Sequence, residues 1–499
     1  MNIMKEERRL LVSIATFQML MCVPGHAQNT APIFTPVQPE TFNGNMALSN
    51  AWGDYDNDGD LDLAISFKTG DVRLYQNNDG QFNNIGPQLG LPTGGKETRS
   101  IGWGDYNKDG YLDLYVGSNQ NGNELYMNKQ GEAFVEVGAA LGVDIPNVST
   151  RQISWVDYDN NGTVDLFVAD RIGANYLFRN DDGVFVDVSG QTKLDDVRPT
   201  VGACWFDYNQ DGLLDLFLAN QSGSKDALYR NDGGIFTDVA ASLGVGGTER
   251  SSKHGGVDCS VGDFNNDGYF DLFVANYGTN YLYKNEGKDG FSEVSVQMGI
   301  TGDDLMVGAS WADYDNDGLL DLYVAGYHDV DGERSPVDRL FHNDGNKFNE
   351  IITHGTPLSG ADHGVQWSDF DGDGDLDISL TEGYNIAGHH PVLRNELAMT
   401  TDNRSLQIEV LDKDGHATNA GSEVRLYNET GDLLATRLVT TGDGYNSHSN
   451  QAVHFGIGTI KNITVEVTFM TVNGRKTQRV KNIDPTQWMG KVIEIKQDN

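Results

Sequence analysis

Asp-Tyr-Asp-Asn-Asp-Gly-Asp-Leu-Asp at residues 54–62 is the first of seven copies of one nine-residue motif in this chain of 499 residues. Every copy has an acidic or amide side chain at positions 1, 3, 5 and 9, and glycine at position 6. Ca²⁺ takes about six to eight oxygen ligands, and alternate residues of a tight loop can direct their oxygens to one centre while glycine supplies the bend. The motif therefore predicts calcium loops, with up to seven Ca²⁺ ions, one for each copy.

The predicted ligands are the side chains at positions 1, 3, 5 and 9 of each loop. In chain order they are Asp54, Asp56, Asp58 and Asp62; Asp105, Asn107, Asp109 and Asp113; Asp157, Asp159, Asn161 and Asp165; Asp207, Asn209, Asp211 and Asp215; Asp263, Asn265, Asp267 and Asp271; Asp313, Asp315, Asp317 and Asp321; Asp369, Asp371, Asp373 and Asp377. A single Asp-Gly turn is also typical of a β-hairpin that needs no ion. Because a turn does not require four oxygen donors, the seven copies favour metal binding.

The residues after each loop predict a β-strand and not a helix. An EF-hand would carry Glu at position 12. The copies instead have Ile65, Val116, Val168, Leu218, Val274, Val324 and Leu380. Positions 8, 10 and 12 are apolar in every copy, which is the alternation of a strand with one buried face.

The spacing of the loops predicts a β-propeller. Their first aspartates lie 50 to 56 residues apart, and each repeat holds four strand signals, as a propeller blade does. We predict an all-β fold, with a seven-bladed propeller over 28–400 and a small β-sandwich-like domain over 403–499. The seventh repeat lacks a fourth-strand signal, and residues 33–37 resemble one, so we expect that N-terminal strand to close the last blade.

Six of the seven tryptophans stand two residues before the first aspartate of a loop. A row of tryptophans can stack on carbohydrate, but a position that recurs with the repeat is more typical of packing between blades. We therefore expect these side chains to be buried.

Composition and the termini bear on location and partners. With 73 acidic and 35 basic residues the formal net charge is -38, which argues against nucleic acid and anionic membranes as partners. Residues 1–27 have the basic start, apolar run and small-x-small site of a signal peptide, so we predict cleavage near Ala27 and a secreted or periplasmic protein. No later stretch is apolar enough to predict a membrane span.

Cys204 and Cys259 are the cysteines that follow the predicted signal peptide, and whether they pair stays open. They precede their loops by three and four residues, so their side chains point to opposite faces of their strands. We take this difference as an argument against a bridge.

The tail carries a distinctive segment, Gly-Asp-Gly-Tyr-Asn-Ser-His at 442–448, followed by Val-His-Phe-Gly-Ile-Gly at 453–458. Together with the loops, it resembles the FG-GAP or VCBS repeat proteins that end in an ASPIC/UnbV domain, a cartilage-acidic-protein-like family with an integrin-α-like propeller. The resemblance implies calcium binding and an exported binding or matrix protein. The tail departs from the family pattern at 469–474, where a Trp-Pro-Ser-Gly-like segment is usual.

Two functional hypotheses follow. The first is an extracellular or periplasmic binding module, in which calcium is structural in each blade and a protein or glycan ligand binds at the propeller face. The second is an exported, calcium-stabilised lyase, dehydratase or natural-product tailoring enzyme, acting on an anionic saccharide or small metabolite at the channel mouth. Its candidate residues are Arg99, Arg151, His254 and His363, since arginine binds carboxylate or sulfate and imidazole accepts protons. A solvated ring of the same side chains would need no ligand, and we favour the binding module.

Overall fold

Strands alternate with the acidic loops along the chain. The computed structural model describes residues 32–498 apart from 248–249, 301, 328–337, 352–355, 360, 384–387 and 398–402, so the predicted signal peptide at 1–27 lies outside the described residues. The helices in the described part are single turns: Gly138–Leu141, Ser189–Thr192 and Ala240–Leu243, with 3₁₀ turns at Gly287–Asp289 and Pro485–Gln487. The all-β prediction is confirmed.

The strands between Phe34 and Asn395 pair into antiparallel units of four, and in each unit the acidic loop joins the first strand to the second. In unit order the strands are Ala47–Gly53, Asp62–Phe67, Val72–Asn78 and Gln81–Asn84; Thr98–Gly104, Asp113–Asn121, Glu124–Asn128 and Phe134–Glu136; Val148–Val156, Asp165–Asp170, Tyr176–Asp181 and Val184–Asp187; Thr200–Phe206, Asp215–Asn220, Ala227–Asn231 and Phe236–Asp238; Gly255–Gly262, Asp271–Thr279, Tyr281–Asn285 and Phe291–Glu293; Asp303–Ala312, Asp321–Gly326, Arg339–Asn343 and Phe348–Ile351; Val365–Ser368, Asp377–Leu380, Val392–Asn395 and, from the N-terminus, Phe34–Val37.

The fourth strand of the last unit comes from the start of the described chain. Phe34–Val37 pairs antiparallel with Val392–Asn395, with Phe34 opposite Asn395. Without it the strand Val392–Asn395 would present an unpaired edge.

An asparagine at the end of each third strand ties neighbouring units together. The side chain of Asn128 donates to the carbonyl of Tyr55 in the preceding unit at 2.8 Å and to that of Leu112 in its own unit at 2.9 Å. Asn77 of the first unit makes the same bond to the carbonyl of Phe370 in the seventh, also at 2.8 Å. The first and last units are therefore neighbours, and the arrangement is β-propeller-like.

The tryptophans of the repeat fill the contacts between units. Trp52 stacks on Phe370 of the seventh unit with ring centroids 5.9 Å apart, and Trp311 stacks on Phe264 of the fifth unit at 6.4 Å. All six repeat tryptophans are at most 9% exposed. The expected packing role is confirmed, because buried rings offer no surface to a carbohydrate.

Cys204 and Cys259 form a disulfide, with their Cα atoms 6.1 Å apart. The expectation drawn from strand parity is wrong, because neighbouring units pack opposite faces against each other. Trp205 contacts Phe167 of the third unit, so the adjacent Cys204 points the other way, to the fifth unit. Cys259 shares the parity of Val261, which takes the tryptophan position of the fifth unit, and it faces the fourth. Opposite parity therefore brings the sulfur atoms together.

The tail folds into two sheets around a shared apolar cluster. One sheet consists of Ser405–Leu411, Val453–Gly456 and Val492–Lys496, and the other of Glu423–Tyr427, Leu433–Leu438, Ile463–Thr471 and Gly474–Ile483. A further short strand, Ser447–His448, leaves the tail and pairs in parallel with Thr98–Gly104 of the second unit. The tail thus contacts the repeat units through strand pairing as well as side chains.

Candidate metal centres

The acidic loops share one backbone conformation. Glycine at position 6 has φ between +86° and +97° in the seven copies, a region that strains residues with a Cβ atom. Position 4 is left-handed too, as at Asn57 and Lys108 with φ of +60° and +55°. These two left-handed residues turn the chain so tightly that alternate side chains converge.

Backbone amides hold the carboxylates in place. In the third loop Asp157 accepts from the amides of Asn161 at 2.9 Å and Gly162 at 2.7 Å. Asp165, at position 9, accepts from the amide of Asn180 on the third strand at 2.7 Å. The bonds to the position-6 glycine and to the third-strand asparagine recur in all seven units.

Four loops bring three carboxylates close enough to share one ion, with the candidate oxygens within 4.8 Å of one another. These sets are Asp54, Asp56 and Asp58; Asp157, Asp159 and Asp165; Asp313, Asp315 and Asp317; Asp369, Asp371 and Asp377. Among the described residues, the second, fourth and fifth loops, which have Asn at position 3, bring no such trio together. Each of these three loops has carboxylates at positions 1, 5 and 9 and offers the amide oxygen of Asn at position 3.

Several carboxylate oxygens of the loops are buried without a hydrogen-bond partner. They include Oδ2 of Asp113, Asp321 and Asp377 and Oδ1 of Asp313 and Asp369. An unpaired buried carboxylate oxygen is costly, and a bound cation would relieve that cost. Oxygen is the ligand that the hard Ca²⁺ ion prefers, so the residues present fit this ion.

The carboxyl groups lie where charge is unfavourable without a cation. Burial raises the pKa of Asp62 to about 9, that of Asp113 to about 8 and that of Asp157 to about 7. Neighbouring carboxylates of the same loop raise these pKa values further, while backbone hydrogen bonds lower them. Cation binding would favour the charged carboxylates because it offsets both burial and mutual repulsion.

Beside the sixth loop lies a nitrogen ligand, from the third strand, that the motif alone did not predict. Nδ1 of His342 lies 3.1 Å from Oδ1 of Asp321 and 3.4 Å from Oδ2 of Asp315. His342 occupies the variable position of the Leu-aromatic-x-Asn pattern on the third strand. This histidine could have been recognised in the sequence as a possible ligand, because it immediately precedes Asn343, whose amide contacts the loop.

The four catalytic candidates do not form an open constellation. Arg99, Arg151 and His363 are 7%, 3% and 1% exposed. Arg99 pairs with Glu97, Arg151 donates to the carbonyl of Thr150 at 2.8 Å, and His363 bonds Asp362 at 2.5 Å. His254 is exposed. Three of the four side chains are thus committed to contacts within the protein.

A part of the tail that we call the tail segment, residues 441–450, lies where the first strands of the units converge. The amide of Tyr445 donates to Oδ2 of Asp258 at 3.0 Å, and the amide of Gly444 donates to the carbonyl of Ala309 at 3.1 Å. A Cβ atom at Gly444 would lie 1.9 Å from the carbonyl oxygen of Val365, and its φ is +66°. Glycine is therefore required at this contact.

The tail segment contacts the first strand of every unit. The amide of Val365 in the seventh unit donates to the carbonyl of Gly444 at 2.9 Å. The contacts to the first four units are Trp52 with Ser449, Ile101 with Ser447, Gln152 with Ser447, and Trp205 with Thr441. The Tyr445 ring packs against His363, with centroids 4.8 Å apart. The tail segment therefore covers one of the catalytic candidates.

None of the helices in the described part of the chain has the length and hydrophobicity needed to traverse a bilayer.

Comparisons with known proteins agree with the geometry of the loops and the tail. The model of the FG-GAP-like repeat matches residues 54–116, 105–168, 157–218, 207–274 and 263–324, and the model named ASPIC and UnbV matches 413–499. Cartilage acidic protein 1 of Mus musculus is 26% identical over 90% of this chain and 75% of its own length, and that of Homo sapiens is 25% identical over 89% and 73%. A crystal structure of BBS1N in complex with ARL6DN covers 74% of this chain and 99% of its own, at 10% identity and a TM-score of 0.46.

Proposed function

The chain belongs to the family of FG-GAP-like repeat proteins that carry a C-terminal ASPIC and UnbV domain, and we propose on that premise that it is an exported, calcium-dependent interaction module. In this proposal the repeat units form a seven-bladed propeller over 28–400, residues 403–499 form the ASPIC/UnbV domain, and a signal peptide at 1–27 directs export. Calcium has a structural role in each blade.

The observation that carries the proposal is the set of buried, unpartnered carboxylate oxygens in the loops, such as Oδ2 of Asp113 and Asp377. Calcium would be held by the predicted ligands at positions 1, 3, 5 and 9. It would supply positive charge to carboxylates that otherwise repel one another. The chain's own contribution is the paired left-handed turn and the amide bonds that aim the oxygens.

Calcium binding and docking of the tail are expected to support each other. Nη1 of Arg475 in the tail lies 2.8 Å from Oδ2 of Asp207 in the fourth loop, and Arg425 donates to the carbonyl of Gly268 in the fifth at 3.1 Å. Ser405 of the tail donates to the carbonyl of Gly374 in the seventh loop. Because the tail rests on these loops, ions that order the loops also order the surface on which it rests.

A partner would bind at the opposite end of the units, where the first strands begin. The loops there include exposed Lys253 and His254, and the apolar Ile172 and Val197, which are 61% and 76% exposed. Mixed apolar and polar exposure suits a protein or glycan ligand. The burial of Arg99, Arg151 and His363 favours such a module over the enzymatic alternative.

The test is metal analysis of purified, undialysed protein, followed by calcium titration during thermal unfolding. We expect bound calcium, and a stabilisation of about 2.7 kcal/mol for each site filled at 100 times its dissociation constant. Asp165→Asn should remove one high-affinity site from the binding isotherm. Asp181→Asn, which changes an exposed carboxylate of the same unit, should leave the isotherm unchanged. The proposal would be refuted if the purified protein contained no calcium and its melting temperature did not change when calcium was added.

Closure of the propeller has its own test. A chain that starts at Gln38 lacks the strand Phe34–Val37 and should lose stability in the whole repeat region, because the last unit then exposes an edge. Hydrogen exchange should show faster exchange in all units relative to a chain that starts at Pro32. Faster exchange confined to the seventh unit would show that the ring does not depend on this strand.

A further inference from the structure

We propose that the sixth loop binds a late first-row transition-metal ion such as Zn²⁺, through Asp315, Asp321 and His342. This inference rests on the proposed function, since it takes the loops to be metal sites. It departs from the proposed function at the sixth loop alone, where the transition-metal ion replaces Ca²⁺, and calcium keeps its structural role in the other six loops.

The three ligand groups already converge. Their donor atoms lie within 4.8 Å of one another. Asp321 is 1% exposed and its Oδ2 has no hydrogen-bond partner, and Oδ1 of Asp315 is also buried and unpartnered. The His342 ring packs edge-on against Tyr314, with centroids 6.2 Å apart and planes at 68°. Packing of this kind limits the orientations of the imidazole and keeps Nδ1 toward the carboxylates.

The equivalent position in the other units offers no imidazole nitrogen. In chain order the residues there are Gln76, Met127, Arg179, Arg230, Lys284 and Arg394. The side chain of Gln76 donates to Oδ2 of Asp56 at 2.8 Å, and Nζ of Lys284 lies 3.5 Å from Oδ2 of Asp267. Charged amine and guanidinium groups donate hydrogen bonds but do not ligate metals, whereas neutral imidazole has a free lone pair.

The donor chemistry decides which ion the sixth loop prefers. Ca²⁺ is hard and takes oxygen ligands, while imidazole with carboxylates suits Zn²⁺ and its neighbours in the first row. Zn²⁺ is bound by histidine nitrogen and by aspartate oxygen, and a site with three protein ligands keeps water at its remaining position. One oxygen each of Asp315 and Asp321 then contacts the ion together with Nδ1 of His342.

The rival explanation is that a protonated His342 is itself the counter-charge, as Lys284 is beside Asp267. The experiment must separate the two. Metal-stripped full-length protein is saturated with Ca²⁺ to fill the oxygen-only loops and then titrated with Co²⁺, whose visible absorption reports its ligands. Zn²⁺ is added afterwards to displace the Co²⁺.

We expect one equivalent of Co²⁺ to bind in the presence of excess Ca²⁺ and to be displaced by Zn²⁺. His342→Ala should weaken this binding by about tenfold or more. His389→Ala removes an exposed histidine and should not change it. X-ray absorption of the zinc-loaded wild-type protein should show one imidazole ligand, and this readout does not depend on whether a variant folds.

Co²⁺ binding that is absent under excess Ca²⁺, or equal in wild type and His342→Ala, would overturn the inference. So would an absorption spectrum without an imidazole ligand. If Ca²⁺ still binds the other loops in that case, the proposed function stands and only the assignment of the sixth loop fails. If no loop binds Ca²⁺, the proposed function fails with it.

Discussion

Replacing Tyr445 with alanine should destabilise the repeat units, although Tyr445 belongs to the tail. Its side chain is 5% exposed and belongs to one apolar cluster with Val201, Val257 and Val307, which come from the fourth, fifth and sixth units. The fourth and fifth units are joined by the Cys204–Cys259 disulfide, and the fifth and sixth by antiparallel pairing of Tyr277–Thr279 with Asp303–Leu305. The Tyr445 ring adds a contact that all three units share. Tyr445→Ala should therefore reduce the stability of several units at once.

The magnitude follows from the burial of the ring. Truncating a buried aromatic side chain to alanine costs about 3–5 kcal/mol, of which a part comes from the cavity that remains. The amide of Tyr445 still bonds Asp258 in the variant, so we place the loss at the lower end, about 3 kcal/mol. Tyr445→Phe keeps the ring and should lose about 1 kcal/mol or less.

The assay is urea unfolding in saturating Ca²⁺, followed by tryptophan fluorescence, because the repeat tryptophans are buried between units. Tyr445→Ala should lower the midpoint of the transition of the repeat units themselves. A loss below about 0.5 kcal/mol is the range of exposed substitutions and would refute the inference that the ring is packed among the units. A transition of the tail alone, in which the signal of Trp488 changes and that of the six repeat tryptophans does not, would refute it as well.

Three further predictions concern single contacts. Asn231→Ala removes the side-chain donor to the carbonyls of Tyr158 and Leu214 and should cost about 1–3 kcal/mol in urea unfolding. Asn83→Ala at an exposed position should cost less than about 0.5 kcal/mol, and equal losses would show that the asparagine does not tie the units together. Burial lowers the pKa of His448 from 6.5 to about 3. The neutral imidazole therefore contributes fully to the free energy of unfolding above pH 6.5, and this contribution is lost as the pH falls toward 3. At pH 5 the free energy of unfolding is lower by about 2 kcal/mol for this reason. His448→Asn should therefore reduce the fall in melting temperature between pH 7 and pH 5, and an unchanged fall would show that His448 does not cause it. Changing Cys204 and Cys259 to alanine together opens a link across 55 residues and should lower the free energy of unfolding by about 4 kcal/mol, and a loss below about 1 kcal/mol would show that the bridge constrains little.

The candidate site could be predicted from sequence where its determinants are local. The loop motif specifies two left-handed residues and the alternating oxygens within nine positions, and the structure brings three carboxylates together in four of the seven loops. The residue before the third-strand asparagine differs between units in the sequence, but the sequence does not show that this side chain reaches the acidic loop. His342 approaches Asp321 only because strand pairing sets the third strand beside the second, 21 residues away.

The disulfide shows how a correct local inference can lead to a wrong conclusion. Strand parity placed Cys204 and Cys259 on opposite faces of their strands, and the structure has them there. Whether opposite faces meet depends on how sheets stack, and in this arrangement each unit presents one face to the preceding unit and the other to the next. The sequence contains the parity but not the stacking.

The sequence was sufficient to predict the acidic loops, the strands that follow them, the four-strand repeat and the membership of the family, because each depends on residues within one repeat or on a motif of short length. Tertiary structure alone decided that the tail segment lies among the first strands, that three of the four catalytic candidates are buried, and that a histidine joins the sixth loop. These depend on contacts such as that between Trp52 and Ser449, which are 397 residues apart, and the pattern within a repeat contains nothing that specifies which distant segment will fill the space where the repeats meet.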